Sequence, residues 1–402
     1  MSLTAEIPYG AWWCTPFAKW QGSLAHLHAL QFAAATARQA LDRLGVPAEA
    51  LDMGVLGTTV PQSGAFYGLP WLAGMMGLEG LAGPTVAQAC ATSVRCLAVA
   101  AGAVATGEAR GILVVAADRT SNGPQIIYPA PHAPGGTGLR EDWVPDNFNR
   151  DPHAGLAMVE TAENVARRFG IGTAEQHALV LMRDAQYRTA LEGDRAFQRR
   201  WMMLPLRVPA PHGRGEIVLE GDEGVTQSTA EGLARLRPFL AGGTVTFGGQ
   251  THPADGNAGM LVADAGRAAE LSREPAIRVR LLGFGLARVQ AAHMPMAPVP
   301  AARRALEAAG VGMGAVDSAT THNPFAVNDI VLSRETGLPL GRMNERGCSL
   351  IWGHPQGPTG LRAVIELIAT LAERGGGLGL FAGCAAGDTG MALVLRVEDR
   401  RR

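Results

Sequence analysis

Short apolar runs alternate along the chain with longer stretches in which apolar residues recur every three or four positions. Met53–Thr59 and Gly111–Ala117 (GILVVAA) predict buried strands, the second apolar at nearly every position as a strand covered on both faces must be. Residues 24–45 predict a helix closed by Gly45, and residues 91–107 a helix of small residues closed by Gly107. Strands interleaved with helices imply an α/β fold with sheets covered by helices. From about 121 to 241 the pattern changes. Pro, His, Arg, Asp and Trp become frequent, Pro129–Gly138 is rich in turn residues, and helical periodicity is confined to segments near 160–169 and 174–192. Strand-like sequence returns at Gly243–Phe247 and Met260–Ala263. The original order then begins again: strand Ile277–Gly283, helix Ala301–Ala309, strand, helix, and strands Leu378–Gly383 and Met391–Val397. The expected organisation is a pseudo-duplicated α/β core, with one half at 1–120 completed by about 242–268, an inserted domain at 121–241, and the second half at 269–402. The interface between two such halves is a common place for a site.

A chain of 402 residues, 47% of them hydrophobic, is long enough for two to three packed units. A formal net charge of −1 implies neither nucleic acid nor a membrane surface as partner. No window approaches the roughly 20 apolar residues of a membrane span. The N-terminal MSLTAEIPYGAWW lacks the basic and apolar segments of a leader, and VEDRRR carries no address signal, so a cytoplasmic protein is expected. Five cysteines without C-x-x-C spacing suggest neither a disulfide framework nor a zinc cage. Lys19 is the only lysine, which excludes a P-loop and leaves Schiff-base chemistry a single, poorly placed candidate. Gly283-Phe284-Gly285 lacks the third glycine of a dinucleotide loop, so nicotinamide and flavin cofactors have no support.

Four segments carry candidate chemistry. Cys90 begins the helix ended by Gly107, where the helix dipole would lower a thiol pKa, and its neighbours Ala89, Ala91, Thr92 and Ser93 are small. His354, in Gly353-His354-Pro355-Gln356-Gly357, is held on a turn and can accept a thiol proton. Cys384 lies in a small-residue hairpin between two apolar strands, where a thiol tuned near neutrality can act as acid or base. His322, in Thr321-His322-Asn323-Pro324-Phe325, occupies a loop entering a helix and can donate a hydrogen bond to a carbonyl oxygen. Taken singly, each has a structural reading: a buried thiol, a helix-leading turn, a space-filling hairpin cysteine, a solvated histidine.

Together and in order, these segments resemble the thiolase family. Thr15-Pro16-Phe17 with Gln21-Gly22-Ser23-Leu24, Gln88-Ala89-Cys90, Thr161-Ala162-Glu163-Asn164, Leu233–Pro238, Asp255-Gly256, Met294 with Pro298-Val299-Pro300-Ala301, Gly353-His354-Pro355 and Cys384 extend the likeness over nearly the whole chain. The resemblance implies a five-layered α-β-α-β-α core with an inserted loop domain, and an acyltransferase that makes or breaks a carbon–carbon bond in a coenzyme A thioester. It implies Cys90 as acyl carrier, His354 as its activating partner and Cys384 as the second proton carrier. One oxyanion pocket would use His354 with His322, and another the backbone N–H groups of Cys90 and Ala386. Thr251, Met294, Asn323 and Phe325 would contact the substrate. No metal or redox cofactor is implied; coenzyme A serves as substrate and handle. A homodimer or a dimer of dimers is implied as the assembly.

Several positions depart from the commonest pattern. His322-Asn323-Pro324-Phe325 replaces Asn-Glu-Ala-Phe, and Ala386 stands where glycine is usual. Ala87 replaces asparagine or serine, and the arginine expected after Asp222-Glu223 is missing, leaving Arg214 and Arg237 as candidates for the adenine end. Trp143, Phe148, Tyr128 and several methionines suggest a wide apolar acyl pocket suited to a bulky or aromatic acyl group. A benzoylsuccinyl-CoA type of thiolase is one form of this reading. Such relatives work with a small zinc-ribbon/OB-fold partner. Thiolytic cleavage, biosynthetic condensation and a non-catalytic acyl-CoA-binding subunit all remain open at this stage.

Overall fold

The computed structural model describes residues 3–401. Two mixed sheets form the core. In the first, Trp12–Cys14 pairs antiparallel with Ala254–Ala263, which pairs antiparallel with Gly111–Arg119, which runs parallel to Met53–Gly57; Thr85–Val86 adds an edge. In the second, Ile277–Arg288, Thr389–Asp399, Gly376–Ala385 and Ser318–His322 follow with the same sequence of antiparallel, antiparallel and parallel neighbours. The duplication read from the sequence is thus a duplication of sheet topology.

Helices Thr92–Thr106 and Thr359–Glu373 precede equivalent strands in the two halves and pack on each other between the sheets. Ala29–Leu44 with Leu69–Met76 covers the outer face of the first sheet, and Pro298–Ala309 covers that of the second. Five α-β-α-β-α layers result. Strand Gly111–Arg119 shows the physics. Ile112, Val114 and Ala116 enter the central core while Leu113, Val115 and Ala117 enter the outer one, so apolar residues are needed at both parities. The central helix needs small residues because it is covered on several sides. Its segment Ala89–Thr106 has the length and hydropathy of a minimal membrane span, contrary to the sequence expectation that no window comes close, yet it is a core helix.

Several boundaries differ from expectation, each for a visible reason. The first helix starts at Ala29 rather than 24, because His28 Nδ1 caps it by accepting Leu30 N–H at 3.3 Å. Gly243–Phe247 is not a strand: the N–H groups of Thr244 and Val245 point at the buried Glu163 carboxylate, at 2.8 and 2.7 Å, instead of a neighbouring strand. Gly283 and Gly285 belong to a long strand, where a Cβ would lie 2.5 Å from Ala305 O and 2.0 Å from Ala301 O. These glycines let strand and helix touch backbone to backbone, and cradle no phosphate. The chain leaves the first sheet at Arg119 and re-enters it at Ala254. Between them lie hairpins Gln125–Tyr128/Leu139–Asp142 and Leu206–Pro209/Glu216–Leu219, short helix Trp143–Asn149, and helices Met158–Phe169 and Thr173–Ala190.

Two buried ionic clusters join this excursion to the core. Arg362 meets Asp222 through two nitrogens at 2.6 and 2.8 Å, and its guanidinium lies 4.1 Å from the Trp352 ring centroid. Asp222, near the place where the sequence suggested contacts to coenzyme A, also accepts Phe17 N and Tyr187 Oη at 2.9 Å each. Arg183, fully buried, binds Asp329 through Nε at 2.9 Å and donates to the Met343 carbonyl at 2.8 Å.

Candidate active site

The strand ends and turns of both halves converge at one end of the core. Cys90 stands two residues before the first helical residue, Thr92, on a turn where Ala89 adopts φ +44°. Thr92 Oγ1 closes this turn, accepting Gln88 N–H at 2.8 Å and donating to Ala89 O at 2.7 Å. The expected helix-dipole activation is not the dominant influence. Burial pushes the Cys90 thiol up to about 11, opposed by hydrogen bonds from the backbone N–H groups of Ala386 and Cys90. In the resting site Cys90 is therefore a thiol.

His354 follows Gly353 (φ +91°), and its N–H donates at 2.9 Å to the carbonyl of His252, two residues before strand Ala254–Ala263. Its Nδ1 contacts Thr359 Oγ1 at 2.7 Å, and its Nε2 has no hydrogen-bond partner. Burial holds its pKa well below 6.5, with His322 and His252 adding to the depression, so it is a neutral imidazole. His322 ends strand Ser318–His322. Its Nδ1 contacts Ser349 Oγ at 2.9 Å, and its Nε2 is likewise unpartnered. Burial lowers its pKa to about 3. The two rings stack with centroids 4.0 Å apart and planes 25° from parallel. Cys90 Sγ and one nitrogen of each ring lie within 4.8 Å of one another. Three such atoms could suggest a metal site, but near-parallel rings do not aim two lone pairs at one point as a tetrahedral ion requires. The arrangement suits proton transfer.

Cys384 is not in the flexible hairpin expected for it. It is fully buried near the end of strand Gly376–Ala385, paired in register with Gly390. Asn328 Nδ2 lies 3.2 Å from its sulfur. Burial, reinforced by the proximity of Cys90, raises its pKa well above 9, so neutrality is not its resting range. The following turn carries Ala386 beside Cys90. Asp388 pins that turn by accepting Ala292 N and His293 N at 2.9 and 2.8 Å.

A cavity of about 520 Å³ opens from Cys90, His354 and Ala386. Thr251, Met294 and Phe325 line it as expected, although the Thr251 hydroxyl is committed to Ser349 O at 2.5 Å. Asn323 does not line it, contrary to expectation. Its amide is buried, donating to Asp329 Oδ2 at 2.7 Å and accepting from Leu350 N at 3.3 Å, and so it braces the His322 loop. Trp143, Phe148, Met158, Phe239 and Phe247 form much of the wall. Tyr128 does not; it is exposed on the outer hairpin. Sequence reasoning missed Asn328, Ser349, Thr359, Gln356 and Asp388, whose only sequence signal is their closeness to motif residues.

Fold and site together define an acyltransferase. The chain matches the models of the thiolase N-terminal domain over residues 12–266 and the thiolase C-terminal domain over residues 276–397. It belongs to the thiolase family and is a thiolase-type enzyme that acts with coenzyme A. An acetyl-CoA acetyltransferase of Pseudomonas aeruginosa is 30% identical over 395 residues, covering 95% of this chain and 96% of that protein. One of Escherichia coli is 29% identical over 389 residues, covering 95% and 96%. Among solved structures, the Bacillus anthracis acetyl-CoA acetyltransferase superposes with a TM-score of 0.89 at 24% identity. Human mitochondrial 3-ketoacyl-CoA thiolase in complex with CoA does so with a TM-score of 0.87 at 24% identity; each likeness covers 98% of this chain and 99% of the other.

Proposed function

We propose that the enzyme cleaves a 3-oxoacyl-CoA with free coenzyme A through an acyl thioester on Cys90. The observation that carries this reading is the gathering around Cys90, on the cavity wall, of a second, buried sulfur and two imidazoles whose Nε2 atoms are unpartnered. His354 Nε2 takes the thiol proton as Cys90 Sγ attacks the 3-keto carbon. The N–H groups of Cys90 and Ala386 hold the resulting oxyanion. The bond between C2 and C3 then breaks, leaving the acyl group on Cys90 and an enolate thioester. Protonated His354 and His322 stabilise the enolate oxygen while the Cys384 thiol protonates the carbon. For His322 to donate through Nε2, its Nδ1 is the acceptor and the Ser349 hydroxyl donates a hydrogen bond to it. Incoming coenzyme A returns a proton to Cys384, attacks the acyl-Cys90 carbonyl and releases a shortened acyl-CoA; His354 reprotonates Cys90. The reverse sequence is a Claisen condensation using the same groups.

The walls contributed by Trp143, Phe148, Met158 and Met294 favour a bulky or aromatic acyl group. Neither Lys nor Arg lines the cavity among the described residues, which favours a neutral acyl group over a benzoylsuccinyl one, whose carboxylate would be buried unpaired. Exposed Phe66 and Tyr67, in edge-to-face contact at 5.6 Å, and the edge strand Thr85–Val86 support self-association into the dimer the resemblance implies.

The test is intact-protein mass spectrometry and turnover with acetoacetyl-CoA, 3-oxooctanoyl-CoA and 3-oxo-3-phenylpropanoyl-CoA, each with coenzyme A. The expected result is an acyl adduct that disappears in Cys90→Ser, and faster turnover of the phenyl substrate than of acetoacetyl-CoA. No adduct with any substrate would favour a non-catalytic binder. Rapid product formation from acetyl-CoA alone would favour the biosynthetic direction.

A further inference from the structure

Asp118 is the penultimate residue of strand Gly111–Arg119 and is almost completely buried. No cation pairs with it among the described residues. Its Oδ1 instead accepts Thr58 Oγ1, Thr59 N and Val60 N at 3.0, 2.8 and 3.0 Å, all from the turn after Met53–Gly57. Its Oδ2 accepts Thr59 Oγ1 at 2.8 Å and Gly357 N at 2.8 Å. The last of these donors comes from the other half of the molecule, three positions after His354. A Cβ at Gly357 would lie 2.7 Å from Asp118 Oδ2, so the loop can approach this closely only as glycine.

The contacts extend to the cavity wall. Thr59 Oγ1 carries one proton and faces two acceptors, Asp118 Oδ2 at 2.8 Å and Gln356 Oε1 at 3.0 Å. An ionised carboxylate is the stronger acceptor and takes that proton. Once Asp118 is neutral, the hydroxyl is free to turn to Gln356. Thr59 and Gln356 both line the cavity, and Trp143 Nε1 donates to Thr59 O at 2.9 Å.

We propose that Asp118 is a positioning residue: its carboxylate clamps the Thr58–Val60 turn of the Cys90 half to the loop after His354, and so sets the reach between His354 and Cys90. This rests on the thiolase reading of that pair. Burial raises the Asp118 carboxyl to about 6, against the pull of its hydrogen bonds. The Cys90 and Cys96 thiols feel its charge, which raises both. Strand Ala254–Ala263 faces it with Gly256, while its chain neighbour Arg119 is occupied by the Leu27 and Asn122 carbonyls, and Asp255 by Thr120 and Ser121. Burial holds the His322 and His354 imidazoles well below 6.5, so an acid limb near pH 6 is not expected from them, and its loss in Asp118→Asn is what assigns it to this carboxyl. Because the folded value is raised, this group's contribution to stability is fullest below the unfolded carboxyl pKa and is lost as pH rises through about 6. Ionisation thus aids positioning while lowering stability.

The test uses the full-length enzyme, 3-oxo-3-phenylpropanoyl-CoA and coenzyme A from pH 5 to 8, with Asp118→Asn beside wild type. Wild-type kcat is expected to fall on the acid side with a midpoint of about 6. Asp118→Asn is expected to lose that limb and to lower kcat roughly tenfold or more with KM little changed, since its amide cannot accept all the converging donors. Its thermal midpoint at pH 7.5 is expected to match or exceed that of wild type, which separates misplacement from unfolding. If the variant does not fold, Glu366→Gln decides: with that carboxyl removed, the thermal midpoint is still to rise as pH falls from 7 to 5.5 while kcat drops. An unchanged limb in the variant, or a flat wild-type profile over this range, overturns the proposal. Wild type inactive toward every 3-oxoacyl-CoA overturns the functional reading instead.

Discussion

Iodoacetamide offered to the resting enzyme over a range of pH reads the ionisation of Cys90 directly, because alkylation proceeds through the thiolate. With the thiol pushed up to about 11, roughly one molecule in a thousand carries thiolate at pH 8. An ordinary cysteine thiol near 8.5 is ionised in about one molecule in four at that pH, so Cys90 is expected to react roughly two hundred times more slowly. The shift corresponds to about 3 kcal/mol of preference for the neutral form. Between pH 7 and 10 the rate constant should rise about tenfold per pH unit. Peptide-level mass spectrometry separates Cys90 from Cys14, Cys96, Cys348 and Cys384, all of which are buried. A fast rate that stays level from pH 6 to 9 would refute the reasoning. It would mean that a thiolate–imidazolium pair already exists, and that the helix dipole seen in the sequence outweighs burial after all.

Replacing Cys384 by Ala should leave acylation of Cys90 by a simple thioester such as acetyl-CoA intact but lower steady-state thiolysis of a 3-oxoacyl-CoA by about a hundredfold or more, visible as one acyl group per site by intact-protein mass spectrometry with little turnover. Trp143→Ala should lower kcat/KM for the phenyl substrate roughly tenfold while changing acetoacetyl-CoA much less, because the indole forms part of the acyl wall and anchors on Thr59 O. Asp329→Ala leaves Arg183 buried and unpaired, and should cost about 3–5 kcal/mol in denaturant unfolding, with His322 function lost alongside. Burial raises Glu366 to about 7, against the opposing pull of Arg362. The stability it contributes is therefore present at low pH and lost as pH rises through about 7, and Glu366→Gln should flatten that part of the thermal-midpoint profile.

Most of the architecture was legible because buried strands and helices leave periodic traces. The repeated order of the two halves, the helices ended by Gly45 and Gly107, and the four reactive segments could all be read without coordinates. What was hidden depends on contacts between distant residues. Nothing in the local sequence shows that Glu163 would capture the N–H groups of Thr244 and Val245, or that Asp329 would turn Asn323 away from the cavity. The ionisation of Cys90 depends on the same kind of distant contact. A helix terminus is visible as a pattern, whereas the depth at which a sulfur is buried belongs to the assembled pocket.

The strand Ala254–Ala263 lies between Trp12–Cys14 and Gly111–Arg119, so an interior rung of the first sheet is the last to be synthesised. A nascent chain must therefore hold two unjoined β-edges apart until more than half of its length has left the ribosome. Because closing a longer loop adds only slowly to the entropy of that delayed insertion, the intervening excursion can change in size and wall chemistry without altering the frame into which the late strand locks.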